Sequence, residues 1–330
     1  MSVGGDISAG VVMTSGKGGI GTMTVQGSLI QTPVLAQNEA GAGIKTMTVN
    51  GAISAGAAVG SDGTGGIGTM TVKGDVFFSQ ITATHEAGGI KSLTVNGAIM
   101  GGVIIAGTAG VGAMTLKGDS NLTLDATGKV GTVTLTGTPA SPINVSGIFD
   151  VKVLSSLTGT NANLDGLTVR ATDGIGTVNV RSMNNVVFSA GTLANITTSK
   201  DVTGSTLLAG YDIGTDDYAI SASGDGTFGG AKGNIGAIMI GGSMSGSSIA
   251  ANVHHGGDRV FGNGNDVVLA GSLEGAIKSL TVKGAVAGGA GGPGIQFGIV
   301  GRTIGAVTIA GVKVTPAWIS PDGQVALKLV

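Results

Sequence analysis

One short phrase, Ile-Gly-Thr-Met-Thr-Val-x-Gly, recurs through most of this chain and leaves few folds open to it. It reads IGTMTVQG from Ile20 to Gly27, IKTMTVNG from Ile44 to Gly51, IGTMTVKG from Ile67 to Gly74 and IKSLTVNG from Ile90 to Gly97. Val111 to Gly118 (VGAMTLKG) and Val130 to Gly137 (VGTVTLTG) continue the series. Degraded copies begin at Leu164 and Ile175, and clear ones return at Ile235, Ile277 and Ile304. A unit of about 18–24 residues is too short to hold a core of its own. Each copy must cover its apolar side with its neighbours, which is how a solenoid is built.

Within TMTVKG, Met70 and Val72 fall on one side of an extended chain, and Thr69, Thr71 and Lys73 on the other. That is the two-residue period of a half-buried strand. Bracketing glycines and β-branched residues argue against a helix. A weaker strand follows each strong one, as in GAISAGAAVG (51–60), GDVFFSQITA (74–83) and GAIMGGVIIAG (97–107). Stacked in register about 4.8 Å apart, such coils make an all-β chain, a right-handed parallel β-helix (β-solenoid) whose hand follows the crossover rule for parallel strands. Met23, Met47, Met70, Leu93, Met114 and Val133 are expected to form one buried column, with Val25, Val49, Val72, Val95, Leu116 and Leu135 beside it. Composition agrees: 42% of residues are hydrophobic but only 3% aromatic, which suits a narrow interior of Val, Ile, Leu, Met and Ala.

The first copies alternate. Gly21 and Gly68 follow the leading Ile in two of them, Lys45 and Lys91 in the others, so the unit of duplication reads as two coils. Lysines in every coil would stack like charges at strand spacing, which is unfavourable. Alternation separates them, with Glu39 and Glu86 as expected partners and Glu274 with Lys278 as a later pair.

The repeat argues for a solenoid over 1–313, irregular between about 140 and 230, with loops leaving it around 211–268. Residues 314–330 break the pattern and carry the single Trp. They read as a C-terminal cap or assembly strand, with Trp318 over the last coil and Val325, Leu327 and Leu329 as candidate contacts. Residues 1–10 enter in mid-repeat with no comparable cap. Natural solenoids need caps to stay soluble, so the expected partners are copies of the chain itself, end to end or laterally, or adjoining segments of a longer chain.

Net charge is −2 with no basic stripe, which excludes nucleic acid binding by phosphate neutralisation. Cysteine is absent, so disulfide scaffolds and Cys-based zinc sites are excluded. Gly, Thr or Asp interrupts every apolar run, and no stretch reads as a transmembrane helix. MSVGGDISAG lacks a basic n-region and an apolar h-region, as expected of a cytoplasmic chain or of a mature or excised piece.

Candidate chemistry is sparse. Thr22, Thr24, Thr46, Thr48, Thr69, Thr71, Thr94, Thr132 and Thr134 form a flat outward ladder, like the Thr-x-Thr faces of ice-binding solenoids. Threonine also simply favours exposed strands, and Lys73, Lys117 and Lys283 interrupt the flatness. Phe261 to Val268 (FGNGNDVV) resembles one imperfect calcium-binding nonapeptide turn, with Asn263, Asn265 and Asp266 as weak ligands. One turn cannot complete a calcium shell, so a plain Gly-Asn loop is the favoured reading and no cofactor or metal is expected. His254, His255, Asp216 and Asp217 touch on the composition of sugar-cleaving β-helices, which need two carboxyl groups flanking the bond. The rest of that signature is missing, and a polar loop is favoured. The glycine-rich turns lead into strands and carry no nucleotide fingerprint.

The phrase IGTMTVxG followed by a GxIxxS/A-type strand resembles the Gly/Thr-rich β-strand repeats of large bacterial surface and autotransporter-like proteins. The resemblance covers most of 1–311 and implies an extracellular or cell-surface parallel β-helical stalk or filament, with no catalytic residues. The expected function is structural and non-enzymatic. The alternatives are a carbohydrate-binding or polysaccharide-cleaving β-helix, which needs carboxylates converging from 211–268, and an ice binder, which needs an unbroken threonine face.

Overall fold

The structure, a computed structural model, describes every residue except 16–17, 38–40, 42, 217, 221–224, 229–232, 270–273, 289–295, 320–322, 324 and 330. Among the described residues there is no helix. The chain is all-β, and its strands stack in parallel as a β-solenoid. It divides into two compact units, Met1–Asn161 and Ala162–Val330; the division falls inside the long extended segment Ile143–Asn184.

A coil of the first unit has three sides. The first side is the repeat phrase (Ile20–Val25, Ile44–Val49, Ile67–Val72). The second is a two-residue strand (Leu29–Ile30, Ile53–Ser54, Val76–Phe77). The third has four residues (Pro33–Ala36, Ala58–Ser61, Gln80–Ala83). Ile20 pairs with Ile44, Ile44 with Ile67 and Ile67 with Ile90, steps of 24, 23 and 23 residues. Steps of 21 and 19 lead on to Val111 and Val130.

The two expected interior columns are buried, with Met23, Met47, Met70, Leu93, Met114 and Val133 fully so. A third column, Ile20, Ile44, Ile67, Ile90, Val111 and Val130, lies inside with them. Simple alternation does not place it there, because Ile20 stands three residues before Met23. Gly21 and Thr22 both face outward and are exposed, and the ladder pairs Ile20 and Thr22 but skips Gly21. The strand therefore bends at its second residue, and that bend brings the leading Ile into the core. Each such side chain contributes about 1.5–3 kcal/mol by leaving water.

The bend also brings the residue that follows the leading Ile close to the backbone of the coil before it. A Cβ on Gly68 would stand 2.4 Å from the carbonyl oxygen of Lys45 in the coil before it, and on Gly112 it would stand 2.5 Å from that of Lys91. Neither contact is sterically possible, so the residue above each Lys must be glycine. The expected Glu86–Lys91 pair is not made; Lys91 stands exposed. Glu39 lies outside the described residues.

Two further columns escaped the sequence reading. Between the second and third sides the chain passes through the left-handed region at Ala9, Gln31, Ala55 and Phe78, with φ of 52°, 49°, 58° and 44°. Gly101 continues this corner with the residue that suits it, as Gly204 and Gly246 do in the second unit. At the corner after the first side, a carboxylate caps the next coil. Oδ1 of Asp6, Asp75 and Asp119 accepts the N–H of Ser28, Ala98 and Asn144 at 2.6, 2.7 and 2.7 Å. Asp201 does the same for Ser243 in the second unit.

The second unit keeps the three sides where the phrase is degraded. LANITT at Leu193–Thr198, with only weak likeness to the phrase, pairs in register with Ile175–Val180 and with Ile235–Ile240. Leu193 and Ile196 hold the interior places, and Thr198 replaces Val there, fully buried with its hydroxyl donating to the carbonyl of Lys200 at 2.9 Å. From Leu193 to Ile235 and from Ile235 to Ile277 the step is 42 residues. The additional residues leave after the third side (Thr206–Ala209, Ser248–Ala251) and return before the first.

At the C-terminal end, Ala310 and Gly311, both at positive φ, turn Val312–Val314 back antiparallel on Val307–Ile309. Val325–Leu329 then adds a parallel rung to Phe297–Gly301. The outer side of this rung meets the segment around Trp318: Leu327 donates its N–H to Trp318 O at 2.9 Å and accepts from Ala317 at 2.8 Å.

Candidate functional site

The regular coils spend their side chains on the interior and on repetitive outer columns, so the irregular chemistry collects in the two excursions of the second unit. Each begins as a short antiparallel pair, Tyr211–Asp212 with Gly226–Thr227 and Val253–His254 with Val267–Val268. They share a small core of their own, with Leu208, Tyr211, Ile213, Ala250, Val253, Phe261, Leu269 and Val300 buried together.

Buried polar groups hold the roots of these excursions. Ser189, fully buried, donates to Tyr211 O at 2.7 Å and accepts the N–H of Ile213 at 3.3 Å. Asn234 Oδ1 accepts the N–H of Gly275 and Ala276 at 3.1 and 2.9 Å, and its amide donates to Glu274. Arg170 forks onto both oxygens of Asp212 at 2.7 and 2.8 Å, with its guanidinium 5.5 Å above the Phe228 ring. This two-pronged geometry is the strong form of an ion pair, and it clamps the first excursion to the coil beneath.

At the centre, three residues far apart in sequence form a relay. His255 is buried, and its Nδ1 accepts the N–H of Gly257 at 3.1 Å and of Arg259 at 2.9 Å. With Nδ1 an acceptor, the proton of the neutral ring sits on Nε2, which donates to the Tyr211 hydroxyl at 3.1 Å. That hydroxyl donates in turn to Asp225 Oδ2 at 2.6 Å. Burial, then the Asp225 carboxylate, drives the Tyr211 phenol far above its ordinary pKa. Burial first, then the His254 ring stacked at 4.4 Å, pushes His255 below the ordinary imidazole range. Both His255 nitrogens are engaged and its ring is shielded, so in this arrangement it orders the loop that follows it.

The sequence candidates fall in four places. The threonines face outward. Thr24, Thr48, Thr71, Thr94, Thr115, Thr134 and Thr158 make one unbroken column of the first unit, half-buried. Its companion, Thr22, Thr46, Thr69, Ser92, Ala113 and Thr132, is interrupted by Ala113. In the second unit Asn179 and Met239 interrupt the threonine column. Asn263, Asn265 and Asp266 sit together in the loop after His255, joined there by Asp258. Asp216 is exposed and bonded to neither His, and Asp217 lies outside the described residues. Val325 and Leu327 are buried within the last rung, Trp318 is half-buried and Leu329 is exposed. Sequence reasoning noticed His254 and His255 but missed Tyr211. The available signal was a Tyr in a chain with only two, opening a segment where the period fails.

Among the described residues, no group of three or more His, Cys, Asp and Glu side chains is gathered to hold a metal ion, and there is no helix long and apolar enough to cross a membrane. No family model, curated protein or solved structure matches this chain.

Proposed function

We propose that this protein is a structural β-solenoid of the cell surface or extracellular space, a stalk or filament subunit that extends itself by edge-to-edge strand pairing. The observation that carries the reading is the first coil. Among the described residues, Ser2–Val3, Ile7–Ser8 and Val12–Thr14 pair only with the coil that follows. Their interior residues Val3, Ile7 and Val12 are half-exposed, whereas their register partners Val25, Leu29 and Val34 are fully buried. Met1, Val11 and Met13 add exposed apolar surface at 68%, 62% and 49%. A parallel edge with apolar side chains invites another strand, whether from a copy of the chain or from an adjoining segment of a longer one, and low surface charge offers little defence. The C-terminal end differs, since antiparallel segments lie on both of its last rungs. The regular outer columns also support a scaffold. Sedimentation velocity across a concentration series tests this. Association is expected to rise with concentration and to drop in Ser8→Pro, which removes an outward N–H from the open edge. A chain that stays monomeric at high concentration, or whose association Ser8→Pro leaves unchanged, overturns the reading.

A further inference from the structure

The loop GGDRVFGNGND, residues 256–266, joins the two strands of the second excursion's antiparallel pair. Two carboxylates and two carboxamides gather in it. Asp258 accepts the N–H of Val260 on Oδ1 at 2.9 Å, and on Oδ2 the amides of Asn265, at 2.9 Å, and Asn263. Asn263 Oδ1 accepts the N–H of Asn265 at 3.3 Å. Asp266 closes the cluster with a side chain that is 0% exposed. Its Oδ2 accepts the N–H of Gly262 at 2.9 Å, but its Oδ1, equally buried, has no hydrogen-bond partner among the described residues. From the last rung, Lys328 donates its ammonium to the carbonyl of Asn263 and stands 3.9 Å from Asp266 Oδ2.

A buried carboxylate oxygen without a donor is among the least favourable arrangements a fold can keep. Lys328 offsets the charge of Asp266, but 3.9 Å is beyond hydrogen-bond reach, and the other oxygen stays unmet. Protonating Asp266 does not resolve it, because the new hydroxyl would itself need an acceptor. A cation would satisfy it. The side chains of the loop cluster are oxygen donors or become so: half a turn of the Asn263 or Asn265 amide presents its oxygen where its nitrogen now lies. Asp258 supplies the second carboxylate that a single nonapeptide-like turn lacks. Two carboxylates with amide and carbonyl oxygens, and no nitrogen or sulfur ligand, suit a hard cation tolerant of irregular geometry, hence calcium before magnesium or zinc.

We propose that the loop Asp258–Asp266 binds one calcium-class divalent cation through Asp258, Asn263, Asn265 and Asp266, and that the Lys328 ammonium balances the carboxylates when the ion is away. Binding would tie the second excursion into a rigid turn and release Lys328 from the loop, so the ion and the last rung compete for the same carboxylate. With two carboxylates and a resident ammonium, the site belongs to the weak class, with a dissociation constant of about 10⁻⁴–10⁻³ M.

Isothermal titration calorimetry of the full chain, stripped with EDTA and titrated with calcium chloride, tests it. One calcium per chain is expected, with magnesium at least about tenfold weaker because it demands near-octahedral geometry. Lys328→Met is expected to bind calcium at least about tenfold tighter, since it removes one nearby positive charge. Asp266→Asn is expected to abolish uptake while melting in EDTA much as the parent does; if that variant does not fold, Asp258→Asn carries the same test. The site is overturned if the parent takes up no calcium at about 10 mM, well above the weak class, or if Asp266→Asn binds as the parent does. Equal affinity of parent and Lys328→Met overturns the role given to the lysine.

Discussion

The coils from Ile20 to Leu135 and those from Leu193 to Val282 share one cross-section yet do different things with it. In the first set, successive leading residues stand 19 to 24 apart and every corner is short. In the second, two steps of 42 put the surplus into a single corner, between the third side and the first. The three sides accept no insertion, because a one-residue slip would turn every interior side chain outward. A corner has no such constraint, so growth collects there. Once long enough, the two excursions pack Tyr211, Phe261 and His255 into a second small core and bring together acids, histidines and asparagines that the regular coils cannot place side by side.

The largest expected effect tests whether the regular coils rest on their interior alone. Leu93→Ala, at a fully buried place of the first unit, is expected to cost about 3 kcal/mol, within the usual large-to-small range. A lower urea midpoint would record it, with hydrogen exchange accelerated chiefly within Met1–Asn161. Uniform acceleration through Ala162–Val330 would break the comparison.

A second, smaller effect belongs to the excursions. His255 has its pKa lowered by burial and by His254, so the folded loop favours the neutral ring. A depressed histidine contributes stability that is fully present above its unfolded value of about 6.5 and is lost as pH falls below it toward the folded value. The groups around the ring are His254, Tyr211, Asp225, Asp258 and the Arg259 N–H. Between pH 7.5 and 5.5, intrinsic-rate-corrected protection of residues 253–268 is expected to fall while that of Ile20–Leu135 holds, and His255→Gln should flatten the response. A parallel fall in both regions would assign the pH dependence elsewhere.

The smallest effect concerns a corner the two units share. Ala55 and Asn185 both sit in the left-handed region, at φ of 58° and 51°. Relieving that strain with glycine more than offsets the added freedom of the unfolded chain. Ala55→Gly is expected to stabilise by about 0.5–1 kcal/mol, and Asn185→Gly by less, since Asn tolerates this conformation. Equal shifts in thermal midpoint would show that the two corners differ in more than their residue.

Much of the first unit was legible. The Thr-Met-Thr-Val alternation told which residues face inward, and the fixed spacing told which would stack. The bend that buries Ile20 was not, because it depends on a backbone course that admits two outward residues in succession. Nor was the reason for glycine at Gly68, which lies in a carbonyl of the coil before it. LANITT was hard to see for another reason: the interior needs apolar residues at only a few places, and a buried Thr198 with its own hydrogen bond serves at one of them. The excursions were legible only as places where the period fails.

By itself, then, the sequence determined that this chain is a parallel β-solenoid and which side chains line it. The same few apolar places recur in every copy, and burying them needs only that neighbouring copies stack. Tertiary structure alone decided which polar groups meet. Tyr211 and His255 are 44 residues apart, and Asp266 and Lys328 come from a loop and a terminal rung. No period links such positions. Their meeting depends on how each excursion leaves its corner, folds on itself and returns, and that path is chosen by packing and hydrogen bonding across coils.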